Sequence, residues 1–363
     1  MFVEINLEEI LPKKSYTGED VLVKKSDSSL IIYYLSKYSN GKLKTQKFQP
    51  AKAKLPKKIK LSEDLMESMG LYFGDGQKAI TSKSYQAMRF ANSDARIIKK
   101  FLKALQKLKV KNNNLKVYVR ISTLRKNTKP IAFWSKITNI PKKNFYKISW
   151  QKSKHKTSKA AQKGTITLIL ANSSFRLVFD ALYKHIKTLA KYNKDVAAPF
   201  LRGIIAADGT VYFDGRHREV SIAAKYKKDR IYIKKLLSLL EILPNKDNLT
   251  PTKEAVTITG FSNLTKIQKH NLCSLHPKKE LKLNDALKTY KNICYRKGVG
   301  KLKVMALLKE NPSTVTKLAK KLNRKENAVR RYLRQYEKEG KAIRKTAIQT
   351  SRTGRYAEVW VAC

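Results

Sequence analysis

The stretch FLRGIIAADGTVYF, residues 200–213, decides how the rest of the chain is read. A run of apolar and small residues ends on Asp208, a glycine follows at once, and the chain then turns to an extended pattern. One account is an ordinary helix stop, with Gly209 as a left-handed cap and Asp208 as the last exposed residue. That would suffice for a pattern found once. It is found twice: ESMGLYFGDGQKAI, residues 67–80, has the same small and apolar run, the same Asp-Gly ending and the same return to extended structure. Asp75 and Asp208 therefore read as one position in two copies of a unit, 133 residues apart.

Around the repeats, element patterns follow in the same order. After the first come the strand-like YQAMRFANS and then DARIIKKFLKALQKLKV, whose Ile97, Ile98, Phe101, Leu102, Leu105 and Leu108 recur at helical spacing. LKVYVRIST and GTITLILAN alternate as strands, and SFRLVFDALYKHIKTL closes the unit as a helix. From Asp195 the series returns: the helix ending at Asp208, strands TVYFDG and EVSIAAK, the helix DRIYIKKLLSLLEIL, the strand AVTITGF, and a helix from Ser262. The expected fold is α+β, a duplicated αββαββα core with pseudo-two-fold symmetry. Its expected parts are a β-rich appendage and linker at 1–58, a first half at 59–192 and a second at 193–298, with a C-terminal domain at 299–363. The first half carries an irregular basic insertion at about 124–164.

Within each motif the small residues lie four apart, Gly70 and Gly74 in one and Gly203 and Ala207 in the other, on one helix face. Two such faces can pack backbone to backbone, which brings the C-terminal ends, Asp75 and Asp208, together. The helix dipole and mutual repulsion both disfavour that pair. A hard divalent cation, Mg²⁺ or Mn²⁺, offsets the cost, and with phosphate oxygens it can activate water on a phosphodiester.

The composition names the partner. With 79 Lys+Arg against 27 Asp+Glu, the 363-residue chain carries a formal charge of +52, far beyond what solubility requires. A polyanion is expected, and Arg89, Lys116, Arg120, Arg218 and Lys225 lie on or beside strand-like runs that can face a duplex. Membrane is the competing polyanion, but no segment approaches a spanning length, and the acidic opening MFVEINLEEI is unlike a signal peptide. Three scattered cysteines and five unpaired histidines give no disulfide framework and no cysteine- or histidine-based metal site. No small-molecule cofactor is expected. The expected setting is a reducing prokaryotic cytoplasm, bacterial or archaeal, with the protein on the nucleoid when bound to DNA.

SMGLYFGDG and LRGIIAADG resemble the two signature motifs of single-chain LAGLIDADG homing endonucleases, and the likeness covers roughly residues 60–295. The second motif is close to the family name; the first departs from it at Phe73 and Gly74. The resemblance implies sheets that saddle the major groove of a long DNA site. It also implies motif aspartates, here Asp75 and Asp208, that bind Mg²⁺ and cut both strands across the minor groove, and a monomer, because one chain supplies both half-sites. The family often adds a basic residue at the end of the second strand of each unit. Lys225 stands there in the second copy and Asn92 in the first, where Gln77 or Lys78 can substitute; Lys278, in LHPKKELKL, is a further catalytic candidate by likeness to a closing segment of archaeal and intein relatives.

Beyond YRKGVG the pattern is two short helices, a third carrying Arg330, Arg331 and Arg334, and a basic hairpin tipped by SRTGR, which resembles a winged helix-turn-helix. Residues 301–363 hold 17 Lys+Arg against 5 Asp+Glu, which favours DNA over a protein partner. Glu326, Asn327 and Arg330 are the expected base readers, and Arg352 and Arg355 the expected wing contacts to phosphate or minor groove. Two other activities fit the same scaffold: a non-cleaving transcription regulator and an RNA-binding intron maturase. The chain begins with Met and ends WVAC without a His-Asn pair, as expected of a free-standing protein rather than an intein.

Overall fold

The computed structural model describes residues 4–16, 18–34, 52–77, 87–122, 129–151, 163–214, 217–244, 254–290, 298–349 and 356–363. The chain is a mixed α+β protein. It opens with β1 (Glu4–Asn6), the short helix α1 (Leu7–Ile10), β2 (Val21–Lys25), β3 (Ser29–Tyr34), β4 (Ala53–Pro56) and β5 (Lys58–Lys60). β2, β3 and β4 form an antiparallel sheet, and β5 pairs with β1. The basic stretch expected to be a linker thus supplies two strands. Ala53, Leu55 and Ile59 are buried while Lys54, Lys58 and Lys60 face out, so a half-buried alternation was hidden beneath its lysines. Ile5, Leu7, Leu30, Ile32 and Leu55 join the main core, so this segment is part of its packing.

Next come α2 (Glu63–Asp75), β6 (Met88–Asn92), α3 (Ala95–Lys107), β7 (Lys116–Ser122), α4 (Pro130–Thr138), β8 (Phe145–Gln151), β9 (Thr165–Leu170) and α5 (Ser173–Leu189). The order then returns in α6 (Lys194–Asp208), β10 (Gly209–Asp214), β11 (His217–Ala223), α7 (Lys227–Leu239), β12 (Ala255–Thr259), α8 (Phe261–Lys269) and α9 (Pro277–Lys288). The first sheet has the order β6-β9-β7-β8 and the second β10-β11-β12. Gly76 bridges Phe90, as Gly209 pairs with Ile222; Phe90 then pairs with Leu168, as Ile222 pairs with Val256. The stretch expected to be an irregular insertion holds α4 and β8, and β8 lies parallel to β7 at the sheet edge. A parallel neighbour requires a crossover, which α4 supplies. Trp134 anchors that crossover, fully buried, its indole N–H donating to the Lys163 carbonyl at 2.8 Å.

α2 and α6 occupy the centre. Nine consecutive residues of α2, Leu65 to Phe73, are buried, as befits a helix covered on every side. A Cβ on Gly70 would overlap the Phe200 carbonyl oxygen, and one on Gly203 the Glu67 carbonyl oxygen, so side chains larger than hydrogen would force the helices apart. Arg202 of α6 crosses to Glu67 of α2 and pins the register of the seam.

The chain ends with α10 (Val299–Glu310), β13 (Ser313–Thr314), α11 (Val315–Lys321), α12 (Glu326–Lys338), β14 (Ala342–Gln349) and β15 (Tyr356–Ala362). The three strands pair in the order β13-β15-β14. Val304, Leu308, Leu318, Val329, Leu333 and Trp360 form a core of their own, separate from the main one.

Candidate active site and nucleic-acid interface

Both motif helices end by running straight into extended chain. Gly76 has φ −84° and ψ 140°, and Gly209 has φ −81° and ψ 150°. The left-handed cap that an Asp-Gly ending suggests is therefore not formed. The glycines are needed for space: a Cβ at Gly76 would collide with the ring and carbonyl of Tyr72, and one at Gly209 with the carbonyl of Ile205. The tight exit leaves each aspartate at the seam of the two helices. A Cβ on Gly74 would lie 2.6 Å from Ala207 Cβ and 2.7 Å from Asp208 Oδ2, so the Asp208 carboxylate rests against the backbone one residue before Asp75.

Asp75 is half-buried, and Asn92 Nδ2 donates to its Oδ2 at 2.7 Å. Burial pushes its carboxyl up to about 6; the Asn92 hydrogen bond and the nearby Lys279 ammonium pull down, and the charge of Asp208 pushes up. Lys279 of α9 donates to the carbonyl oxygen of Ile205 (2.8 Å), which also accepts the Gly209 N–H, and to that of Ala206 (2.7 Å), and so offsets the negative end of α6. Burial holds its ammonium below the usual lysine range, against the attraction of Cys273, Asp75 and Asp208. The turn after Asp75 is clamped from below. Gln77 donates its N–H to Arg89 O, while its carbonyl accepts from Tyr72 Oη and Arg176 Nη2, both at 2.9 Å. Arg176 is itself buried and paired with Asp180 at 2.8 Å.

On the outer face of the first sheet, a groove of about 420 Å³ is lined by Asp75, Gln77, Arg89, Tyr118, Arg120 and Lys147 among others. It runs from the basic strands to the carboxylate. Arg89 lies between buried Met88 and Phe90, and Lys116 and Arg120 flank a β7 row whose Val117 and Val119 are fully buried, so these cations face away from the helices.

Other expected site residues fall differently. Arg218 is turned inward: its parity is that of buried Val220 and Ile222, it donates to Ala286 O (2.9 Å) and Thr289 O (2.8 Å), and it lies over the Phe213 and Tyr290 rings. It caps α9 rather than facing a duplex. Lys225 is exposed, and its carbonyl accepts from Arg230. By the strand registers, Asn92 corresponds to Ala224, and Ser93 to Lys225, so Asn92 and Lys225 are not equivalent positions. Lys278 is exposed; it lines a cavity of about 400 Å³ shared with Asn92, Ala207, His276 and Lys279. Lys279, one residue on, makes the contacts to α6. It stands four and seven residues before buried Leu283 and Ala286, a periodicity that marks it as the inward lysine. Lys78 lies outside the described residues.

In the C-terminal module, Asn327, Arg330, Arg331 and Arg334 of α12 share one open face with Gln335 and Lys338. Glu326 is engaged by Thr316 Oγ1 at 2.8 Å and by Arg330 Nη2 at 3.3 Å. Arg352 and Arg355 lie outside the described residues. Among the described residues, no cluster of three or more His, Cys, Asp or Glu forms a metal cage, and no helix is long and apolar enough to cross a membrane.

No protein-family model matches the chain, and no curated protein matches it. Among solved structures it is similar to full-length DUF199/WhiA from Thermatoga maritima, at 14% identity and a TM-score of 0.36, covering 77% of this chain and 92% of that one. It is similar also to I-DmoI in complex with DNA and Ca, at 13% identity and a TM-score of 0.35, covering 59% of this chain and 91% of that one. For the complex of I-DmoI with DNA and Mn the values are 14% and 0.35, with 58% and 97% covered. At that level the superpositions are a likeness and no more.

Proposed function

We propose that this chain is a site-specific double-strand DNA endonuclease of the LAGLIDADG homing type, Mg²⁺-dependent and active as a monomer, with a C-terminal winged helix-turn-helix that adds to site recognition. The observation that carries this is the meeting of Asp75 and Asp208 at the ends of two glycine-packed helices, at the head of a basic groove. Two neighbouring carboxylates, joined by no third His, Cys, Asp or Glu among the described residues, suit a hard cation that completes its shell with water and phosphate. Asp75 and Asp208 would hold it, and when bound it would supply Lewis-acid stabilisation of the scissile phosphate and its leaving oxygen.

The chain's own residues set the stage. Arg89, Lys116 and Arg120 anchor the backbone of a duplex so that one phosphate reaches the Asp75 end of the groove. Asn92 fixes the rotation of the Asp75 carboxylate, and the Arg176 and Tyr72 bonds to Gln77 hold the turn behind it. Above pH 6 Asp75 is ionised and ready to ligate. Lys279 adds positive charge beside both carboxylates.

Lys279 also favours a second reading, a non-cleaving DNA-binding regulator on the same scaffold. A resident ammonium offsets the repulsion of the two acids without any metal. The variant Asp208→Asn separates the readings. For a nuclease, it abolishes Mg²⁺-dependent cutting while binding measured in Ca²⁺ persists; for a regulator, wild type and variant bind alike and neither cuts the bound site.

A further inference from the structure

A polar thread runs from the N-terminal segment to the first motif turn. Tyr16, between α1 and β2, donates its hydroxyl to Asp180 Oδ2 of α5. The same carboxylate oxygen accepts from Arg176 Nε at 2.8 Å. Arg176, only 1% exposed, donates onward to Gln77 O at 2.9 Å and to Ala87 O at 3.3 Å. Gln77 stands two residues beyond Asp75, and its own N–H is held by Arg89 O at 3.0 Å. The second half lacks this thread. The strand registers that equate Phe90 with Ile222 also equate Leu168 with Val256, and α5 and α8 begin in step after them, so Arg176 falls at Leu264 and Asp180 at Gln268. Leu264 is buried and has nothing to donate, and Gln268 is turned to Asn284 at 2.7 Å. The end of α6 is tied by Lys279 instead.

We infer that Tyr16 is a positioning residue for the Asp75 turn, acting through Asp180 and Arg176, so that the N-terminal segment holds one of the two motif carboxylates in place for its metal. The consequence for cutting rests on the nuclease reading above. A buried guanidinium keeps one orientation only while its donors have acceptors, and Asp180 is the acceptor that fixes Nε. Tyr16 and Asp180 border a cavity of about 490 Å³, also lined by Ile10, Leu177 and Lys184. Without the Tyr16 hydroxyl the carboxylate would turn into that cavity, where water and Lys184 compete for it, and Arg176 would follow, releasing Gln77 O. Burial, then the Asp180 charge, holds the Tyr16 hydroxyl above the usual tyrosine range, so at neutral pH it stays a donor.

The test compares amide hydrogen exchange in EDTA for the full-length wild type, Tyr16→Phe and Ile32→Val. Ile32 is fully buried in β3 and lies outside the thread, so Ile32→Val loosens the N-terminal segment by packing alone. Tyr16→Phe is expected to speed exchange of the Gln77 amide about tenfold. The Gly209 amide, bonded to Ile205 O at the second motif, should not change in either variant, nor Gln77 in Ile32→Val. In cutting assays Tyr16→Phe should need several times more Mg²⁺ for half-maximal rate, with DNA affinity in EDTA unaltered. Gln77 exchange equal to wild type in Tyr16→Phe, equal acceleration in both variants or at both motifs, or an unchanged Mg²⁺ requirement would overturn the inference. A wild type that binds DNA and never cuts removes the nuclease reading alone, and the exchange comparison still decides whether Tyr16 holds the turn.

Discussion

Replacing Asp75 by asparagine should make the metal-free protein more stable, and the gain should depend on pH in a set way. Burial raises the Asp75 carboxyl from 3.8 to about 6, so between those values the folded protein holds a proton that the unfolded chain has lost. Stability therefore falls as pH rises through that window, and the loss is complete above it. Each pKa unit corresponds to about 1.4 kcal/mol, and the solvent that reaches a half-buried group screens part of the total, which leaves about 2 kcal/mol. Asparagine has no charge to desolvate, and its side-chain oxygen can still accept from Asn92. Urea unfolding in EDTA should then show the variant and wild type equal near pH 3.5 and the variant ahead by about 2 kcal/mol at pH 7.5. Mg²⁺ at a hundredfold excess over its dissociation constant should stabilise wild type by about 2.7 kcal/mol and close the gap. Parallel pH curves, or a variant less stable than wild type at pH 7.5 in EDTA, would refute the placing of a destabilised carboxylate at this seam.

Gly203→Ala should cost more than about 3 kcal/mol, because its Cβ meets main-chain atoms of α2 that cannot move alone; thermal unfolding measures it, and a loss below about 1 kcal/mol would mean the helices do not pack this closely. Lys279→Met should lower stability by about 1–3 kcal/mol in EDTA, because Ala206 O loses this donor, Ile205 O keeps only the Gly209 N–H, and the two carboxylates lose a nearby cation; added Mg²⁺ should restore the carboxylate share of the loss, and a loss that Mg²⁺ does not touch would separate Lys279 from the carboxylates. Removing residues 301–363 should weaken DNA binding more than it slows single-turnover cutting at saturating protein. Unchanged affinity in a filter-binding titration would assign that module to another partner.

The motif helices were legible in the sequence because small residues four apart leave one clear packing face, and Gly70, Gly74, Gly203 and Ala207 all lie in the seam. Their glycine exits were legible in position only: spacing cannot distinguish a left-handed cap from a shortage of room beside Tyr72 and Ile205. Strand alternation marked Arg89 and Arg120 as outward, and the same parity applied to Val220 and Ile222 would have turned Arg218 inward. Helical periodicity in α9 similarly points to Lys279 over Lys278, once Leu283 and Ala286 are taken as the buried stripe. The strands at 53–60 escaped notice because exposed lysines outweighed the buried alternation between them. Arg176 could not have been found by pattern: its role comes from meeting Gln77, 99 residues away in sequence.

The most direct measurement is cleavage of a randomised duplex library, together with DNA from the source genome including the gene's own flanks, in Mg²⁺ and in EDTA. Discrete double-strand breaks in Mg²⁺ that vanish in EDTA and in Asp75→Asn are the predicted result. Sequence-selective binding by the wild type with no cutting of the bound site in Mg²⁺ would contradict the nuclease and leave a DNA-binding regulator.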